Sequence, residues 1–241
     1  TPSSISVSSN TYTLGISLSG TANGSETITV TPASSAIFDV AGNAASTSQS
    51  NNTATLNDKL GPTITITAVD GSSNSVSDGS TTNDATLTVT FTSSESTSNL
   101  VVGDVTVSGG SLSSFSGSGT TYTATFTPSS NGATTIDVAG GTFTDASGNN
   151  NSAATQFNWT YDSTVPTITG SSLASDNSTI AVTFSEAVYN TNGGSGSLQV
   201  SDFVFSISGG SATLSSTTPS SISVSSNTYT LGISLSGTAN G

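Results

Sequence analysis

ATLTVTFT, residues 85–92, sets Leu87, Val89 and Phe91 on alternate positions with threonine between them. A period of two is the rhythm of a strand with one face against a core and the other in water. TITITAV (63–69), TYTATFT (121–127), TIAVTFS (179–185) and FVFSIS (203–208) keep the same rhythm, and each predicts a strand. Their outward residues are Thr and Ser, which favour strands and stay soluble without charge. Ser and Thr make up 97 of the 241 residues, yet this periodicity argues against disorder. No window carries a 3.6-residue apolar period, so the expected class is all-β.

Residues 1–24, TPSSISVSSNTYTLGISLSGTANG, recur letter for letter as residues 218–241, a period of 217. Repetition on this scale marks a tandem array. Each period reads as two related modules. One is complete at 59–162, running from GPTITITAV at Gly61 to FNWTYD at Asp162. The other opens at 163–241, and residues 1–58 carry its closing part from the preceding copy. Both begin with PTIT, at Pro62 or Pro166, and close on an Asp-x-Ala/Ser-Gly-Asn turn and a last strand. About seven short strands each, punctuated by turns, predict tandem immunoglobulin-like β-sandwich modules. With no signal-peptide pattern, the chain reads as an internal or processed piece.

The succession PTIT, VTFSEAV, SDF, SGG, TYTL, TVTP and Asp-x-Ala-Gly-Asn resembles the bacterial Ig-like repeats of giant surface proteins and adhesins. Residues 61–162 are particularly similar, through GDVTVSGGSLSSFSGSGTTYTATFTP and FTDASGNN. The resemblance covers essentially the whole chain. It implies extracellular extender domains between a cell anchor and a distal tip, and several related arrays hold calcium at domain junctions.

Charge narrows the function from the other side. The chain has no His, Cys or Met, and its 14 acids face one base, Lys59, for a net charge of −13. Nothing here releases the counterions of nucleic acid or seats the chain on an anionic membrane, and no apolar run is long enough to span a bilayer. Without a histidine base, a cysteine nucleophile or an arginine clamp, and with acids clustered at the poles of the modules, the expectation is no enzyme.

Those acids have a pattern. In a sandwich, the loop after the second strand and the loop before the last strand lie beside the entry linker. Asp58 in the linker, Glu95 after TFTSS, Asp104 before VTV and Asp145 in the closing turn therefore map to one pole. Asp162, Glu186, Asp202 and Asp39 hold the matching places in the sibling module. Converging carboxylates repel unless a counter-charge joins them. Calcium, which takes 6–8 oxygen ligands, is the cofactor these eight acids predict, locking each linker. The competing reading is turn chemistry alone, since Asp and Asn cap local backbone and Gly accepts a positive φ.

Five Asn-x-Ser/Thr triplets begin at Asn23, Asn51, Asn150, Asn158 and Asn177 and are candidate glycosylation sites. Trp159, the sole tryptophan, fits a core or junction position better than a sugar-stacking one. Uncharged edge strands offer a route to lateral pairing with other copies. The expected role is a structural repeat of an extracellular fibre, surface appendage or adhesin stalk, partnered by neighbouring and lateral copies of itself. The alternative is a module that binds surface glycans.

Overall fold

The computed structural model describes residues 1–237; residues 238–241, the end of the repeated 24-residue stretch, lie outside the described residues. The chain divides into two units, Thr1–Asp162 and Ser163–Gly241.

In the first unit, β1 (Ile5–Ser8) and β2 (Thr11–Leu14) form a hairpin, and β3 (Thr27–Thr29) pairs antiparallel with β4 (Thr53–Thr55). Next come β5 (Ile64–Val69), β6 (Ser75–Val76), β7 (Thr81–Thr82) and β8 (Leu87–Thr97). β9 (Val105–Ser108), β10 (Gly110–Pro128), β11 (Gly132–Val138) and β12 (Phe157–Tyr161) complete it. One sheet runs β10-β8-β5-β6 and the other β7-β12-β11-β9. Every pairing is antiparallel except β12 with β7. This is a two-sheet sandwich.

The alternation places its core. Leu87, Val89 and Phe91 of β8 are fully buried, as are Phe126 of the neighbouring β10 and Ile136 and Trp159 of the facing sheet. Burial of one such side chain contributes roughly 1.5–3 kcal/mol. Phe126 and Trp159 meet edge to face, ring centroids 6.0 Å apart, an arrangement that aromatic quadrupoles favour. The Trp159 indole N–H donates to Thr82 Oγ1 at 3.1 Å. Trp159 is thus a core residue, 1% exposed, with no face for a sugar. Thr134, also buried, donates its hydroxyl to the Trp159 carbonyl at 2.9 Å, so a polar residue at a core position meets no penalty.

The second unit is built differently. β13 (Ile168–Leu173), β14 (Thr179–Phe184), β16 (Ile222–Ser225) and β17 (Thr228–Gly232) form one sheet in the order β13-β14-β17-β16. β15 (Thr213–Leu214) pairs with β18 (Leu235–Ser236). Its buried cluster is small, Val182, Tyr229 and Leu231, with Phe203 and Phe205 packed against it. The strand expected over 203–208 is not formed; the backbone there is irregular. Its counterpart in the first unit, β9, is a strand because β11 bonds its edge, and among the described residues no strand pairs with 203–208. Alternation gives a segment its two faces, but a ladder needs a partner.

Identical sequence in two settings makes the same point. β1–β2 pairs Ile5 with Leu14 and Val7 with Tyr12; β16–β17 pairs Ile222 with Leu231 and Val224 with Tyr229, the same register 217 residues on. Ser9 and Ser226 carry the same φ of 53° in the two turns. Local sequence fixes the hairpin. It does not fix burial: Tyr12 is 63% exposed and Tyr229 8%, because β14 lies against β17 and, among the described residues, no further strand pairs with β1–β2.

Candidate metal centre

Three of the eight predicted acids come together. Asp58, Glu95 and Asp145 each offer a carboxylate oxygen, and these oxygens lie within 4.8 Å of one another. Each arrives by a traceable route.

Glu95 lies within β8 rather than after it. It follows Phe91 and Ser93 on the core-facing register, so the strand's own period turns it inward at the pole. Asp145 opens the loop 145–149. Its Oδ1 accepts the Ser147 and Asn149 backbone N–H groups at 2.8 and 2.9 Å, and its Oδ2 accepts the Asn149 side-chain amide at 2.9 Å. Gly148 takes a φ of 84° there, a conformation that glycine enters without strain. The same bonding recurs at Asp39–Asn43 and at Asp70–Asn74. Turn chemistry is therefore a real job of Asp39 and Asp145. It leaves carboxylate capacity free, because two oxygens offer about four acceptor sites and three are used.

The loops are stitched together. Thr97 Oγ1 donates to the Thr144 carbonyl at 2.8 Å, Asn99 Oδ1 accepts the Thr144 N–H at 3.2 Å, and the Tyr122 hydroxyl donates to the Thr97 carbonyl at 2.7 Å. The linker is fixed to the same pole. Thr63 N–H donates to Ser94 Oγ and Ser152 N–H to the Pro62 carbonyl, each at 2.9 Å. Asp58 Oδ1 accepts the Leu60 N–H at 2.9 Å. Gly61 passes so close to the Asn150 carbonyl that a Cβ would overlap it.

Sequence reading missed the residue that holds this pole most firmly, Asn151, which is 4% exposed. Its Oδ1 accepts from Thr142 and Phe143 N–H at 2.8 and 3.0 Å, and its Nδ2 donates to the Ala139 and Ser152 carbonyls, both at 2.9 Å. Its only trace in the sequence was as the middle residue of the Asn150 triplet.

The other five predicted acids join no such group among the described residues. Asp104 Oδ2 accepts the Val101 N–H at 2.9 Å and Asp202 Oδ2 the Gln199 N–H at 2.7 Å. Both cap matching 3-10 turns, Val102–Asp104 and Val200–Asp202. Asp162 accepts from the Asn131 side chain at 3.1 Å. Asp39 serves its own loop, and Glu186 is half-buried in the bend that follows β14. Of the sequons, Asn23, Asn51, Asn150 and Asn158 are exposed and Asn177 half-buried. The Asn158 amide is engaged by Asp78 Oδ1 at 3.2 Å.

Electrostatics fit a cation at Asp58, Glu95 and Asp145. The Glu95 carboxyl is held above its ordinary range, first by burial, then by the charges of Asp58 and Asp145 and by a hydrogen bond with Asp145. Burial pushes Asp145 up too, but hydrogen bonds from Asn149, Ser147 and Gly148 outweigh it and hold that carboxyl low. Burial and two neighbouring carboxylates disfavour ionisation of Glu95 beside an ionised Asp145, a repulsion that a cation would relieve. Hard carboxylate oxygens suit hard cations such as calcium, magnesium or manganese over softer metals.

Residues 58–161 match the family model of a bacterial Ig-like domain. This stretch is similar to bacterial Ig-like domains. The match ends within one residue of the strand β12 that closes the sandwich, and it begins at Asp58, the linker acid. Ig-like domains of this kind commonly occur in surface proteins, and their fold is typically non-enzymatic. No helix among the described residues is long and apolar enough to cross a membrane. Comparisons with curated proteins and with solved structures find no match.

Proposed function

We propose that the chain is a structural repeat of an extracellular fibre or adhesin stalk, a spacer whose linkers are stiffened by calcium. The observation that carries the reading is the 24-residue identity at a spacing of 217, flanking a bacterial Ig-like domain. Repeats kept identical suit a role set by length and stiffness, in which each unit adds to its neighbours' stability. The domain organisation follows: 59–162 is a complete module, 163–241 opens a second, and 1–58 closes one.

Calcium acts at the linker. Asp58 belongs to the linker, Glu95 to β8 and Asp145 to the closing loop. An ion on all three ties the entry of the domain to its pole and relieves their repulsion. Neighbouring copies are the main partners, and edge strands with few charges allow lateral pairing. Exposed sequons at Asn23, Asn51, Asn150 and Asn158 would carry glycan in a glycosylating source. Surface glycan binding is the alternative role.

The test uses the 241-residue chain with calcium or with a chelator. Calcium is expected to raise the unfolding temperature and to protect backbone amides of 58–61 and 145–152 from exchange. Glu95→Gln is expected to lose most of both effects. No change in either readout on chelation removes calcium from the reading. Selective retention of the chain on a glycan array would replace the spacer role with the adhesin one.

A further inference from the structure

The first part of the Ig-like domain is shared between its two sheets. β5 pairs antiparallel with β8 in one sheet, and β6 turns back along β5 after the Asp70–Asn74 loop. The chain then crosses to the other sheet, where β7 runs parallel to β12. β12 is the strand that closes the domain. The β7–β12 contact therefore joins the chain that follows the entry to the chain that leaves, and every residue in it lies within 58–162.

Six hydrogen bonds span that contact. Gly79 N–H donates to the Asn158 carbonyl at 2.7 Å, Thr160 N–H to the Ser80 carbonyl at 2.9 Å and Asp162 N–H to the Thr82 carbonyl at 3.0 Å. Asp78 Oδ1 accepts the Asn158 backbone N–H at 2.6 Å and its side-chain amide at 3.2 Å, and a charged acceptor makes the stronger kind of bond. The Trp159 indole on Thr82 Oγ1, at 3.1 Å, is the sixth. Strand direction decides how these bonds meet a pull along the chain. Tension from the linker reaches β7 at its first residue, and tension from the exit reaches β12 at its last. On neighbouring parallel strands the two pulls oppose each other along one axis, so the strands are sheared and the bonds are strained together. Antiparallel neighbours pulled from adjacent ends would open one bond at a time. β5 can slide from β8 while β7 still holds β12. Once β7 parts from β12, the pull reaches β8 and the core that Leu87, Val89 and Phe91 fill.

We infer that the contact of 78–82 with 158–162 is the mechanical clamp of the domain, the set of bonds that must break together before tension along the chain unfolds it. Asp78 is its outermost member. It is exposed, so its bonds add little to stability at rest, yet it sits where the sheared strands first part. The clamp stands apart from the spacer and calcium readings, since the response to tension is measured whatever the biological role and with no ion present.

The test is unfolding at constant force of the full chain, tethered at both ends and held in chelator. Unfolding of the domain is recognised by its gain in length, about 100 residues at about 3.3–3.6 Å each. Asp78→Ala removes two bonds of the clamp and is expected to unfold at least about fivefold faster under tension. Thr82→Val keeps the side chain's shape, removes one bond, and is expected to unfold at least about twofold faster. Tyr122→Phe is the control. It deletes the buried bond to the Thr97 carbonyl, which joins β10 to β8 and lies off the clamp, and it is expected to change the rate under tension by less than about twofold. Thermal midpoints taken without tension rank the three variants by overall loss of stability, and Asp78→Ala is expected to fall no further than Tyr122→Phe. Rates under tension that simply follow those midpoints overturn the inference. So does a rate that neither clamp variant changes.

Discussion

Replacing Tyr12 and Tyr229 by alanine, one at a time, separates local sequence from tertiary setting. The two tyrosines sit in identical 24-residue contexts and identical hairpins, so strand propensity and turn energy cancel. Tyr12 is 63% exposed and Tyr229 8%, a difference of about half the side chain. For an aromatic that is on the order of 100 Å², or about 2.5 kcal/mol at about 25 cal/mol/Å². Tyr229 also meets Phe184 edge to face at 5.8 Å and Phe203 at 6.0 Å, each pair worth about 0.5–1.5 kcal/mol beyond area. Tyr229→Ala is therefore expected to destabilise the second unit by about 3.5–5.5 kcal/mol and Tyr12→Ala to cost under about 1 kcal/mol. Hydrogen exchange read by mass spectrometry on β14, whose sequence is unique, is the assay. Protection there is expected to fall by a factor of at least about 100 in Tyr229→Ala and by less than about 5 in Tyr12→Ala. Similar losses in the two variants would refute the claim that β14, and not the hairpin, creates the burial.

Three more outcomes concern the pole. Asn151→Ala removes four hydrogen bonds to backbone groups and is expected to cost about 3 kcal/mol or more, read as a fall in thermal midpoint of the Ig-like domain on the order of 10 °C or more. Gly61→Ala forces a methyl into the Asn150 carbonyl and is expected to cost about 1–3 kcal/mol by urea titration; an unchanged midpoint would mean that the linker does not lie against 149–150. The acids predict a pH profile in chelator. Because folding raises the Glu95 pKa, ionising Glu95 costs the fold, fully above its folded pKa and not at all below its unfolded one. Stability is therefore expected to rise as pH falls from neutral through that raised value, and Glu95→Gln to flatten the rise. Asp145 has the opposite sign. Its lowered pKa stabilises the fold above about 3.8 and that contribution is lost as pH falls through the lower folded value.

Much of the Ig-like domain was legible because its side chains alternate strictly: 64–69, 87–92 and 121–127, nearly the whole of the three predicted segments, lie in strands that point the expected residues inward. The pole was legible in part. Asp58, Glu95 and Asp145 follow from chain direction and strand order, which bring linker and loops to one end. Asp104 was a reasonable fourth by the same logic, but a three-residue turn uses its carboxylate on Val101. Asn151 was invisible, because nothing in Asn-Asn-Ser announces four bonds to backbone groups up to twelve residues away.

By itself the sequence determined the strand rhythm, the hairpin turn at Ser9 and Ser226, the Asp–Asn loops and the 217-residue repeat. All of these depend on neighbours within a few residues, or on letters alone. Tertiary structure decided which faces were covered, whether 203–208 became a strand, and which acids met. Those depend on partners far along the chain, and a strand's hydrogen bonds and apolar face are completed only by what lies beside them.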